Sequence, residues 1–440
     1  MIFNSNIEKF IFYSLPVFLF SLIPFFLITG PFLSDFAVSL ISLLFLIYSF
    51  KHKNFSYFKN KYFYIFLIFW FYLILNSLIN NFNLDSLKIS FFYFRYGVFV
   101  IAIATFLNVD SKFIKYFFFS IFICFSVLII DGFYQYFFQK NILGWQGSDR
   151  ISSFFGDENI LGSYLSRLWP IFFGLSIFIF KQKNKLYYIF LFVFILSEAL
   201  IFLSGDRTAF FYINLSAIFV ILFSQKLLKL RLITLLSSLL LLVIISFFNP
   251  TAKERVVDLT LSQMNLVQEK IDGNDQRDYN DQKDQKDEKD QKIYIFTKAH
   301  HELYVSAYKI FLDNIIFGVG VKNFRNICKD QRYYVDNKEV CNTHPHNTYV
   351  QILTELGIVG LMFLLFSLFY FCLFIFKHLF LKFRGKYYFN DFEICLLSGI
   401  VIYLWPFVPT GNVFSNWLNI SMIINLPFLV WSRKVIKFRN

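Results

Sequence analysis

Residues 353–376 read LTELGIVGLMFLLFSLFYFCLFIF, and the one charge in this run, Glu355, stands near its start. A helix of about 17–25 such residues crosses a hydrocarbon layer of roughly 30 Å. Lipid offers no partner to free N–H and C=O groups, so helix is the expected state. Working outward, similar runs lie near 9–29, 32–50, 62–80, 89–107, 113–131, 160–180, 186–203, 208–225, 232–248, 393–410 and 416–432. Composition agrees, since 57% of the 440 residues are hydrophobic and Phe (66) and Tyr (26) exceed what a soluble core uses. The reading is an all-α polytopic membrane protein of about 12 transmembrane helices. Pro16, Pro24 and Pro170 fall within spans, where neighbouring helices must satisfy the freed carbonyls.

Orientation follows from Lys and Arg, which are retained in cytoplasmic loops. Alternate loops carry Lys51, Lys53, Lys59 and Lys61, then Lys112 and Lys115, then Lys181, Lys183 and Lys185, then Lys226, Lys229 and Arg231. The series continues with Lys377, Lys382, Arg384 and Lys386 and ends with Arg433, Lys434, Lys437 and Arg439. The segments near 30–31, 81–87 and 411–415 carry none, so both termini are expected to be cytoplasmic. Most of the net charge of +13 is thereby a topology signal, and no nucleic-acid partner is expected. The first apolar segment is span-length without a small-residue cleavage site, and is expected to stay as a helix.

Three regions result: an N-terminal bundle of about nine helices over 1–248 with a smaller external segment at 132–159, a large external loop at 249–352, and about three C-terminal helices over 353–440. Within the loop, 272–292 (DGNDQRDYNDQKDQKDEKDQK) is low in complexity and has no apolar anchor, so a disordered insert is expected. Over 293–317 the apolar residues Tyr294, Phe296, Leu303, Tyr304, Ala307, Ile310 and Phe311 recur at near-helical spacing ahead of Gly318-Val319-Gly320, which predicts an amphipathic helix ended by glycine. Gly357 and Gly360 open the next span and suit close helix packing. Cys328 and Cys341 share the loop; a disulfide between them in an oxidising compartment is favoured over two free thiols.

Charged groups at the external ends of spans are costly unless paired, solvated or bound to ligand. Arg150 lies just ahead of a span, Arg207 in the tight turn of LSGDRTAFF, and His346 where the chain re-enters the membrane in CNTHPHNTYVQ. Two arginines on one side of the bilayer can chelate phosphate oxygens through forked hydrogen bonds, which suits a diphosphate. A histidine beside them can take a proton from an attacking hydroxyl. The blander readings pair Arg207 with Asp206, pair Arg150 with Asp157 or Glu158, and make His346 a helix cap or surface residue. His344, His300 and His301 rank lower. No spacing of His301, His344 and His346 resembles a compact ligand motif, so no metal is expected. Arg95 and Glu198 are ionisable groups inside the membrane, either functional or a buried ion pair. Glu355 either orients His346 or sits at a solvated helix start.

The segments RISSFFGDENILG (150–162), LSGDRTA (203–209), FGVG (317–320) and THPHNTY (343–349), with ELGIVG from Glu355, together resemble the O-antigen ligase and polymerase superfamily. The resemblance implies an inverting, metal-independent glycosyltransferase of the GT-C type without cofactor, in a bacterial inner membrane, with its active site periplasmic under a large loop containing short helices. It implies an undecaprenyl-diphosphate-linked glycan as donor. Arg150, Arg207 and His346 match the diphosphate-binding arginines and the candidate base; Asn347, Glu355, His344 and Arg95 join them as substrate-binding candidates. The insert and Asp206 depart from the usual pattern, and an Asp206–Arg207 salt bridge would weaken the grip on phosphate.

Two acceptors stay open: a lipid A-core hydroxyl in a ligase, or a lipid-linked repeat in a polymerase. A flippase or transporter of lipid-linked sugar also wants arginines in a cavity, but has no evident use for His346, and inverted repeats are not apparent.

Overall fold

The computed structural model describes residues 1, 3–80, 83–146, 150–180, 186–226, 228–263 and 297–437. The expected insert at 272–292, together with Tyr294 and Phe296, lies outside the described residues. Among them the regular structure is helical, apart from isolated bridges such as Lys140 with Gln146. The helices are α1 (Asn6–Ile28), α2 (Pro31–Lys51), α3 (Lys61–Ile79), α4 (Leu84–Val109), α5 (Phe113–Phe138), α6 (Leu161–Ile179), α7 (Leu186–Leu203), α8 (Arg207–Phe223) and α9 (Leu228–Phe248). They continue with α10 (Lys298–Asp313), α11 (Thr348–Phe383), α12 (Asp391–Leu404), α13 (Asn416–Ile423) and α14 (Asn425–Lys437).

Eight of these are long and apolar enough to cross a membrane: α1 to α6, α9 and α11. Helices α7, α8 and α12 to α14 are shorter or divided. The chain is a polytopic, all-helical membrane protein, and its burial pattern shows why. Leu236, Leu240 and Phe247 of α9 are 63%, 62% and 80% exposed. An apolar surface of that extent is costly in water and at rest in lipid.

Helix α6 is the central element. Its side chains are buried almost without interruption from Leu161 to Ser176, and it packs against α5, α7, α8 and α12. Gly174 permits the approach to α12, because a methyl group there would lie 2.9 Å from the β-carbon of Cys395. At the other flank, Trp417 of α13 donates its indole N–H to the carbonyl of Leu27 at 2.9 Å and ties the C-terminal helices to the end of α1.

Two expected elements differ from the sequence reading. The span at 353–376 is the middle of a longer helix, α11, which is broken at Gly357 (φ 64°, ψ −165°). This glycine serves a backbone crossing: Val319 N–H donates to Thr354 (3.0 Å), Gly320 N–H to Glu355 (2.8 Å) and Ile358 N–H to Ile315 (2.9 Å). A side chain at Gly357 would fall on the Ile316 carbonyl, and one at Gly318 on the Glu355–Gly357 backbone. The amphipathic helix α10 buries Leu303, Ala307 and Ile310 as its spacing predicts, but it ends at Asn314 and leaves the glycines to the crossing. The FGVG and ELG motifs are therefore one structure, two strands of backbone in contact without room for a β-carbon.

Candidate functional site

The histidine loop is built from its caps. Asn347 accepts from the N–H groups of Tyr349 (2.9 Å) and Val350 (3.2 Å), starting α11, while its amide donates to the carbonyl of Pro406 at 2.8 Å. His346, next to that cap, has φ of 56°, a left-handed conformation that costs a non-glycine residue roughly 1–2 kcal/mol. It is held there by Thr410, whose N–H donates to the His346 carbonyl at 2.7 Å. His344 locks the same contact from the other side: its Nε2 lies 3.2 Å from the Thr410 carbonyl and its Nδ1 2.9 Å from Thr343 Oγ1. A carbonyl only accepts, so Nε2 carries the proton and, in the neutral ring, Nδ1 accepts from the threonine. Burial pushes His344 down to about 4, which keeps it neutral. Both of its nitrogens are thus engaged. Upstream, Cys328 and Cys341 are joined by a disulfide with Cα atoms 5.3 Å apart, fixing the entry to this loop.

The segment that receives the loop, 405–415, was read from sequence partly as the end of a span and partly as a bare connection. Instead α12 stops at Leu404, and Tyr349 donates to the Leu404 carbonyl at 2.6 Å. Val413 N–H donates to Gln351 Oε1 at 3.0 Å, and Gln351 donates to Asn412 at 3.1 Å. The signal was present in Pro406, Pro409 and Gly411, which do not continue a helix.

Opposite stands the arginine wall. Arg207 opens α8 after a turn in which Gly205 has φ of +69°, and Asp206 caps the helix by accepting from Ala209 N–H at 3.0 Å. Burial pushes the Asp206 carboxyl up, and the charges of Arg167 and Arg150 act against that. Arg150 is exposed, makes no ion pair with a described carboxylate, and lies close enough to Arg207 for the two guanidinium groups to repel. Its expected partners Asp157 and Glu158 are not used. The Arg207 charge also reaches His300.

These walls enclose a cavity of about 1510 Å³ lined by Arg150, Arg167, Asp206, Arg207, His300 and His346. The His300 and His346 rings are 5.6 Å apart, edge to face, and the His344 ring lies 4.1 Å from that of His346, tilted by 47°. Burial, followed by the charges of His346 and Arg207, pushes His300 down to about 4; burial alone lowers His346. The cavity therefore presents neutral imidazoles beside cationic guanidinium groups.

Two of these residues escaped or were underrated in the sequence. Arg167 lies in α6, 4% exposed, with its guanidinium 4.8 Å from the Tyr212 ring centre and 4.6 Å from that of Tyr403, and its Nε donates to Ser163 at 3.0 Å. An arginine sandwiched between two aromatic faces keeps its charge out of lipid. His300, ranked low, faces His346 because Thr297 caps α10 and holds the His300 ring at 2.7 Å. Nothing in a linear sequence brings residues 300 and 346 together.

Other candidates lie elsewhere. Asn347 and His344 stand behind His346 as supports. Glu355 is fully buried and accepts from Gln351 (3.0 Å) and from the backbone N–H groups of Lys322 (3.0 Å) and Phe324 (3.4 Å), so it anchors the 320–324 turn away from the cavity lining. Arg95 and Glu198 do not meet. Arg95 donates to Asp35 at 2.7 and 3.0 Å, whereas Glu198 accepts from Ser238 at 2.5 Å.

No curated protein matches the chain. Residues 190–365 match the family model described as O-Antigen ligase, a range that holds Arg207, His300, His346 and the 317–320 crossing and stops short of Arg150 and Arg167. Over this range the chain is similar to the O-antigen ligase family.

Proposed function

We propose that this protein is an O-antigen ligase-type glycosyltransferase that moves a glycan from undecaprenyl diphosphate to a lipid A-core hydroxyl. The observation that carries this reading is the joint lining of one cavity by His346, Arg150 and Arg207. The acceptor oxygen attacks the anomeric carbon as its proton passes to the His346 imidazole. The bond between that carbon and the diphosphate oxygen breaks, and the electron pair leaves with the undecaprenyl diphosphate. Attack opposite the leaving group inverts the anomeric configuration. Burial lowers the basicity of His346 but keeps it unprotonated at neutral pH, as a base must be.

Arg150 and Arg207 stand as like charges within reach of each other, an arrangement that an anion between them relieves. In this reading they hold the diphosphate, and no metal is required. Arg167 supplies a third positive charge at the buried end. The Lys and Arg distribution supports a cavity on the periplasmic face of the inner membrane, with both termini cytoplasmic. The twelve-span GT-C arrangement counts α7, α8, α12 and the α13–α14 pair as further crossings.

The test is transfer by the purified protein from undecaprenyl-diphosphate-linked glycan to lipid A-core and, separately, to a lipid-linked repeat. Product on lipid A-core is expected. Elongation of the repeat would make the enzyme a polymerase, and lipid-linked sugar moved without bond formation would overturn the enzyme reading in favour of a flippase.

A further inference from the structure

A second, smaller cavity of about 380 Å³ lies at the same end of the bundle. The two are neighbours along the chain: Pro31 and Ser415 line the large one, Asp35 and Asn416 the small one. Three cations line it, Lys88, Arg95 and Lys322, against a single carboxylate, Asp35. Arg95 and Asp35 form its floor, with the Arg95 guanidinium also donating to Tyr96 (3.1 Å) and to Asn416 (3.2 Å). With that pair neutralised, Lys88 and Lys322 remain. Among the described residues Lys88 reaches only an exposed Asp85 at 3.7 Å, a pair of little worth in solvent. The Lys322 ammonium makes no hydrogen bond or ion pair among the described residues, although it is partly buried and its backbone is held by Glu355. Burial and the Arg325 charge lower its pKa, as expected for a cation awaiting a counter-ion.

The rim is of opposite character. Ile89 and Phe92 line the pocket, and Phe92 and the neighbouring Phe36 are each 52% exposed. Two lysines left without a buried counter-ion beside exposed apolar side chains, at the end of membrane helices α2 and α4, match a molecule with a phosphate at one end and acyl chains at the other. We propose that this cavity is a binding site for the phosphate of an anionic lipid, held by Lys88 and Lys322 over the Arg95–Asp35 floor and separated from the large cavity by the 411–417 segment. Phosphate chemistry of this kind is offered both by an anionic phospholipid and by a phosphorylated glycolipid acceptor.

The test is native mass spectrometry of the full-length protein, delipidated in detergent and titrated with phosphatidylglycerol or phosphatidylcholine. The latter carries the same phosphate with a quaternary ammonium that the lysines repel. Phosphatidylglycerol is expected to bind at least tenfold more tightly, and the preference to fall about tenfold in Lys88→Gln/Lys322→Gln. Equal affinity for the two lipids overturns the proposal, as does an unchanged preference in a double variant with unaltered unfolding temperature. Should the double variant fail to fold, Lys88→Gln alone decides: its side chain is 68% exposed, and an undiminished preference there counts against the site. Competition with lipid A-core, phosphorylated and dephosphorylated, separates the sources. Displacement by the phosphorylated form alone places the acceptor here, and retention of phosphatidylglycerol makes it a resident lipid; both uphold the phosphate site. Only this acceptor arm rests on the proposed transfer reaction, and binding is read without turnover, so the two readings fail independently.

Discussion

Replacing His346 with glycine separates chemistry from stability in a way that alanine does not. His346 holds φ of 56°, and alanine would inherit that strain. Glycine relieves roughly 1–2 kcal/mol of left-handed strain and returns about 0.5–1 kcal/mol in backbone entropy. The difference leaves roughly 0–1.5 kcal/mol in favour of glycine, against which the imidazole's packing is lost, and the backbone bond from Thr410 N–H to the His346 carbonyl that fixes the loop is retained by any residue, so the unfolding temperature is expected to change little. Loss of a general base costs about 10²–10⁴ in rate, or roughly 2.7–5.5 kcal/mol of barrier. The assay is the initial rate of glycan transfer by His346→Gly in proteoliposomes at saturating donor, alongside its thermal unfolding. A rate fall of at least a hundredfold with unfolding unchanged is expected. Transfer within tenfold of wild type by a folded His346→Gly protein would refute the assignment of the base.

Arg207→Lys keeps the charge but loses the forked pair of donors, and is expected to slow transfer about a hundredfold with little change in unfolding temperature. Gly357→Ala must place a methyl group on the Ile316 carbonyl at a φ of +64°, and is expected to destabilise the protein by about 1–3 kcal/mol, seen as earlier unfolding in a thermal melt. For pH, burial lowers His346, so the fall in transfer on acidification, as the base becomes protonated, is expected to set in at a lower pH than for an unperturbed imidazole. Stability follows the same direction. His300 and His344 are lowered from 6.5 to about 4, so between those values the unfolded chain binds more protons, and stability present above pH 6.5 is lost as the pH falls toward 4. Unfolding temperatures that rise on acidification through this window would contradict the sign.

The membrane character was legible because it rests on composition and run length, which a linear sequence carries in full. The catalytic candidates Arg150, Arg207 and His346 were legible because a charge at the end of an apolar run is conspicuous. Arg167 was not, although it interrupts a span just as visibly as Arg95, since its meaning depends on Tyr212 and Tyr403 from two other helices. The FGVG and ELG motifs could each be read as local punctuation, a helix stop and a packing stripe. Their shared role as a backbone crossing is a tertiary fact. The same holds for 405–415, where Pro406, Pro409 and Gly411 signalled a break in the helix but not that the broken segment forms a cavity wall. Asp35, the partner of Arg95, was passed over at the start of a span, where a lone carboxylate looks solvated.

The central claim is that the cavity between Arg207 and His346 makes a glycosidic bond by displacing a lipid diphosphate. The most direct measurement counts undecaprenyl diphosphate released against glycan attached to lipid A-core, and determines the anomeric configuration of the new linkage. One diphosphate per bond with inverted configuration is predicted. Sugar appearing on the acceptor with retained configuration, or leaving the donor leaflet with its diphosphate still attached, would contradict the account.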